Sequence, residues 1–132
     1  FYIQIWQIVY AKENLVNTDL QSTKLEWCLC WHDFHQDHKT IYEEGLRAFK
    51  SCNLIGYQLF WNNLSSFNEF YIKIDNIDLK NKIKSIKEYK SQMFRPYSND
   101  KFIYSQAELL GLQSGKYEFA ESFEIIRLYS WM

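Results

Sequence analysis

The hexapeptide Asp33-Phe34-His35-Gln36-Asp37-His38 places two imidazoles and two carboxylates within six residues. Imidazole and carboxylate are the groups proteins use to bind zinc and to move protons near neutral pH. Histidines at i and i+3 share one side of a helical turn. When such a turn follows a strand of an α/β sheet, its residues line the crevice at the strand's C-terminal end. In that setting His38 offers a ring nitrogen to zinc while His35 faces a reacting carbonyl. Asp37 would hold one tautomer of His35, and a protonated His35 would stabilise an oxyanion and then act as general acid. The competing reading is an exposed polar helix start, with Asp33 or Asp37 serving only as a cap.

A second arrangement of ligand types is Cys28, Cys30, His32, His35 and His38. Structural zinc sites usually space their cysteines as C-x(2–4)-C, whereas Cys28 and Cys30 are separated by one residue. On a strand that spacing turns both thiols to one face, which favours burial. Trp27 and Trp31 read as core or pocket wall. A Gly-rich phosphate loop, a Gly-x-Ser-x-Gly elbow and a Cys-x-x-Cys pair are all missing from the sequence.

The elements that must position these residues are partly legible. Leu25–Trp31 is short, apolar and aromatic, as expected of a buried strand. Thr40–Cys52 predicts a helix, with Ile41, Leu46, Ala48, Phe49 and Cys52 near helical spacing. Asn53–Phe67 holds an irregular aromatic loop, Gly56–Asn63. Phe70–Ile77 alternates as a strand, with Phe70, Ile72 and Ile74 on one face and Tyr71, Lys73 and Asp75 on the other. Asp78 is a candidate cap for a helix carrying Leu79, Ile83, Ile86, Tyr89 or Lys90, and Met93 inward and its lysines outward, stopped by Pro96. Ser98 or Asn99 begins a further helix ending at Gly111. Glu124–Trp131 predicts a final strand. Phe1–Tyr10 is apolar but fits either a strand or a short buried helix, and Ala11–Lys24 is polar and without clear pattern. Alternating strands and helices imply an α/β class.

The chain has 132 residues, 47% hydrophobic and 23% charged, which suits one globular domain rather than a disordered segment. Net charge is −1, giving no global nucleic-acid signature. Between Lys73 and Lys101, however, eight basic residues face four acidic ones, a local charge of +4. That segment is either a solvated helix face or a surface favourable to an anionic substrate, such as a sugar nucleotide or phospholipid headgroup. Three cysteines provide no disulfide framework and point to a reducing compartment. No stretch approaches the roughly 20 apolar residues of a membrane helix, so no transmembrane segment is expected. Phe1–Tyr10 also lacks the basic leader of a signal peptide.

His35-Gln36-Asp37-His38, Glu44-Gly45-Leu46-Arg47-Ala48-Phe49 and Ile55-Gly56-Tyr57 together resemble the second half of the LmbE/PIG-L zinc N-deacetylases. Lys82–Gln92 is similar to that family's late helix ending in Ser-Gln. Gly111 and Tyr117–Glu124 resemble its closing Gly…Tyr-Ala-Glu-Ala-Phe-Glu segment. The resemblance runs from about Asp33 to Leu128, with the motifs in family order, and leaves residues 1–31 unassigned. It implies a Rossmann-like α/β fold, a three-layer sandwich of which this chain is the C-terminal portion. It also implies one catalytic zinc and removal of an acetyl group from an N-acetylglucosamine-containing small molecule, sugar nucleotide or glycolipid. By the family motif, His38 is the zinc ligand, His35 stabilises the oxyanion, and Asp37 orients His35.

The family opens with His-Pro-Asp-Asp, whose His and second Asp complete the zinc site and whose first Asp is the general base. That motif does not occur in this sequence. The expectation is therefore a single partial domain with little activity alone. A non-catalytic glycan- or partner-binding remnant of the scaffold is the alternative. A cytoplasmic, bacterial protein without nucleic-acid partners, open to homo-oligomer formation, completes the expectation.

Overall fold

The computed structural model describes residues 25–30, 32–63, 65 and 68–129. Expectations for Phe1–Tyr10, Ala11–Lys24 and Trp31 fall outside these residues. The described elements are β1 (Leu25–Leu29), α1 (Gln36–Ala48), β2 (Asn53–Tyr57), β3 (Phe70–Ile74), α2 (Asn76–Lys87), α3 (Asp100–Ser114) and β4 (Phe119–Arg127). Two short 3₁₀ turns, Lys90–Gln92 and Pro96–Ser98, lie between α2 and α3. The described chain is thus a mixed α/β arrangement. No helix among the described residues is long and apolar enough to cross a membrane. The described residues divide into two compact units, one within 25–70 and 122–129, the other within 71–121.

In the first of these units β1 runs parallel to β2, with Cys28 opposite Gly56 and Leu29 opposite Tyr57. On its other side β2 pairs antiparallel with β4, Gly56 facing Glu124 and Tyr57 facing Phe123. Flanked on both sides, β2 is buried at all five positions. The expectation of an irregular loop from Gly56 therefore fails for Gly56 and Tyr57, which complete the strand begun at Asn53. A strand buried on both faces has no hydrophobic alternation to detect, and Asn53 and Gly56 weaken the apolar pattern further.

Helix α1 begins at Gln36 rather than Thr40 because its first turn is exposed and carries no apolar signal. Tyr42, not Ile41, is the inward residue. It packs in a cluster with Cys28 and Leu54, joined by Leu46, Phe49 and Ile126. Gly45 permits the close approach of α1 to β1, since a Cβ there would lie 2.6 Å from the Cys28 sulfur. Arg127 donates from Nη1 to the Phe49 carbonyl at 2.7 Å, satisfying an end group of the helix.

The other unit is built around Ile74, Leu79, Ile83, Ile86, Ile103, Ala107 and Phe119, with Tyr104 against them. β3 is hydrogen-bonded to β4. Alternation in β3 holds, with Ile72 and Ile74 buried and Lys73 exposed. Asp75, rather than Asp78, caps α2. Its Oδ1 accepts from the N–H groups of Ile77 and Asp78, and Asp78 Oδ2 accepts from the Asp75 N–H. This reciprocal capping box fixes the helix start and holds the Asp75 carboxyl below its ordinary range, chiefly through the Asp78 N–H.

Helix α2 ends at Lys87, well before Pro96, and Met93 is exposed. Asn99 caps α3 as expected, accepting from the Lys101 N–H at 2.8 Å. That helix continues past Gly111 to Ser114 and ends at Gly115, whose φ of 66° suits a left-handed cap. Gly111 is instead a contact glycine. A side chain there would collide with the Tyr117 and Glu118 carbonyls. The lysines of α2 do not all face outward either, for Lys82 is buried and ion-paired with Glu121 of β4.

Candidate functional site

The loop after β1 carries the His/Asp cluster, and the loop after β2 runs beside it. Asp33 forms an antiparallel bridge with Asn63, and the Phe34 N–H donates to the Asn62 carbonyl at 3.3 Å. Both loops leave the C-terminal ends of parallel strands, the usual ligand-binding edge of α/β sheets.

Within this frame Asp33 does two jobs. Its Oδ1 accepts from the His35 N–H at 2.9 Å, and its Oδ2 lies 2.7 Å from Nδ1 of His38. The Asp33 side chain is 1% exposed and that of His38 16%. A carboxylate only accepts, so the contact places the proton of neutral His38 on Nδ1 and leaves the Nε2 lone pair available. The same carboxylate–histidine geometry orients metal-binding imidazoles in general.

His35 stands at the N-cap of α1, and its ring centroid is 4.6 Å from that of His38. The i, i+3 spacing thus brings the two rings together. Asp37 is placed otherwise. Its carboxylate is 3.9 Å from His35 Nδ1 and its side chain is 80% exposed. That separation is too long for a hydrogen bond. In the first turn of α1, Asp37 complements the helix dipole. The carboxylate bonded to a histidine is therefore Asp33, which sequence reasoning treated only as a cap. Its five-residue spacing from His38, across a strand-to-helix junction, was the available signal.

The Cys/His arrangement does not converge. Cys28 and Cys30 are buried on one face of the β1 segment, as their spacing implied. The Cys28 sulfur lies 3.8 Å from the Ile41 and Tyr42 carbonyls of α1. Among the described residues, no group of three or more His, Cys, Asp or Glu side chains comes together to hold a metal. A catalytic zinc normally takes three protein ligands. His38 alone falls short of that set, so the described residues do not by themselves hold such a zinc.

Burial pushes the Cys30 thiol up to about 12, with the neighbouring Glu124 carboxylate adding to the effect. Burial likewise raises Tyr57 and Tyr42 above the usual phenol range. Because the folded Cys30 keeps its proton where an unfolded thiol loses it, its contribution to stability is present below about 9. It declines as pH rises from there toward about 12. At pH 8 the half-buried Cys52 is expected to react with iodoacetamide first, with Cys28 and Cys30 modified only on unfolding. Peptide mapping of the alkylated protein, with and without urea, checks this, and early labelling of Cys30 would contradict it.

No family model and no curated protein matches the sequence.

Proposed function

We propose that this chain carries the histidine portion of an N-deacetylase site of LmbE/PIG-L type, on a Rossmann-like scaffold. Its substrate class is an N-acetylglucosamine-containing molecule. The observation that carries this reading is the Asp33–His38 pair, held at 2.7 Å beyond the C-terminal ends of two parallel strands. The ordered motifs from His35 to Glu124 support it independently.

In this reading Asp33 fixes the ring of His38, whose Nε2 is the nitrogen offered to zinc. The remaining ligands come from outside the described residues. Zinc, when bound, supplies a polarised water to the amide carbonyl. In this reading His35, exposed beside His38, exchanges a proton with bound substrate. Asp37 acts on His35 only through space and solvent.

Two measurements test the proposal. Zinc titration followed by histidine NMR should perturb His38 before His35 and His32, and His38→Ala should abolish the effect. An unperturbed His38 at saturating zinc would sink the reading. Deacetylation of an N-acetylglucosamine substrate by the purified chain should stay near background. Hydrolysis at ordinary enzyme rates, lost in His38→Ala, would instead show that this chain completes the site itself. Sugar binding without zinc binding would favour a glycan-binding remnant of the same scaffold.

A further inference from the structure

Between the end of α2 and the start of α3 the chain forms a pinned loop. The hydroxyl of buried Ser98 lies 3.0 Å from the Met93 carbonyl and 2.7 Å from the Arg95 carbonyl, and the Ser98 N–H donates to Arg95 at 3.0 Å. This loop turns Met93 and Phe94 to solvent, 45% and 74% exposed. Single exposed apolar residues are ordinary, but two in succession on a held loop form a patch that adds little to the core. Lys87, Arg95 and Asp100 line the same open cleft as this pair, about 440 Å³ in volume.

Positive charge surrounds the apolar pair. The Arg95 guanidinium lies 4.8 Å from the Phe94 ring centroid. Lys80, Lys84 and Lys87, at i, i+4 and i+7 of α2, form an exposed stripe that ends at the cleft. Lys87 pairs with Asp100 at 2.6 Å, whereas Lys80, Lys84 and Arg95 have no carboxylate partner among the described residues. Exposed Glu88 is matched by exposed Lys90. The stripe and cleft thus set four cations against the single carboxylate of Asp100.

We propose that this face docks on an anionic phospholipid surface. Met93 and Phe94 enter the acyl boundary, while Lys80, Lys84, Lys87 and Arg95 meet the phosphate headgroups. Binding at such an interface combines buried apolar area with attraction to anionic lipid, and this patch offers both. A free phosphate would use the cations but leave Met93 and Phe94 in water. A second copy of the chain would bring the same positive patch and be repelled. The inference is independent of the deacetylase-type reading.

Flotation of the full chain with lipid vesicles tests it. Vesicles of phosphatidylcholine with phosphatidylglycerol should carry the protein, those of phosphatidylcholine alone should not, and added salt should weaken binding. Replacing both apolar residues, Met93→Ser with Phe94→Ser, should lower binding by about tenfold or more. Lys84→Gln alone should lower it by about fivefold. All three positions are exposed, so melting temperatures should match wild type. A Phe94→Trp variant should gain blue-shifted emission on anionic vesicles beyond any change in wild type. No flotation with anionic vesicles, or flotation unchanged by the paired serine substitutions, would overturn the proposal. Binding that survives both Lys84→Gln and high salt would also overturn it, as apolar adsorption without headgroup contact. Displacement by glycerol phosphate, with no emission change in Phe94→Trp, would give the cations to a soluble anion instead. A dimer dissolved by the serine substitutions, without vesicle binding, would give the patch to a second copy, and either result ends the lipid assignment.

Discussion

Lys82→Met is expected to destabilise the protein by about 3–5 kcal/mol, because it leaves the Glu121 carboxylate buried without its cation. The two side chains are 5% and 3% exposed, so water does little to screen either one. Lys82 comes from α2 and Glu121 from β4, and their mutual attraction offsets part of the cost of desolvating both charges. Replacing both should therefore hurt far less than replacing one. A Lys82→Met, Glu121→Leu double variant should recover most of the loss and can exceed wild type, since apolar replacements remove the desolvation cost. Urea unfolding of the two single variants and the double variant forms the required cycle. Additive losses in the double variant would show that the pair is not coupled as its geometry requires.

Asp33→Ala is expected to have the largest effect on the site itself. It removes the acceptor of the His35 N–H and the partner of His38 Nδ1 together. Without that carboxylate the His38 ring is free to rotate and to carry its proton on either nitrogen. Zinc affinity at His38 should fall by about 10–100-fold, the usual consequence of losing an orienting carboxylate. Nitrogen NMR should show one neutral tautomer of His38 in the wild type and a mixture in Asp33→Ala. Asp33→Asn should lie between them, because its amide oxygen still accepts while its charge is lost. By contrast Asp37→Ala should leave the His38 tautomer unchanged, its carboxylate being solvated and 3.9 Å from His35. Identical zinc affinity and tautomer state in wild type and Asp33→Ala would remove Asp33 from the site.

The two loops that build the site also show what makes such residues hard to read in a sequence. His35 and His38 stand out because their types are rare and their spacing matches a helical turn. Asp33 belongs to a type common in caps and turns, and its five-residue spacing from His38 is a weak signal beside that common role. Its partnership with His38 rests on a side-chain contact, while its bridge to Asn63, 30 positions on, sets the two loops side by side.

Local pattern by itself determined β1, the alternation of β3, the inward stripe Leu79–Ile83–Ile86 and the cap at Asn99. In each case the signal is carried by neighbours within a turn or a pleat, where side-chain direction is fixed by backbone geometry. The pairing of both thiols on one face of the β1 segment belongs to the same group. Tertiary structure alone decided the rest. It made Asn53–Tyr57 a central strand by placing β1 and β4 on its two sides. It carried α3 through Gly111, where the Tyr117 and Glu118 carbonyls exclude any side chain. It turned Lys82 inward to meet Glu121, and it bonded a carboxylate to His38 through Asp33 instead of to His35 through Asp37. Those outcomes depend on which distant groups come within hydrogen-bond or contact distance. No periodicity encodes that, because the energy of a buried charge or a close-packed glycine lies in its partner and not in its own position in the chain.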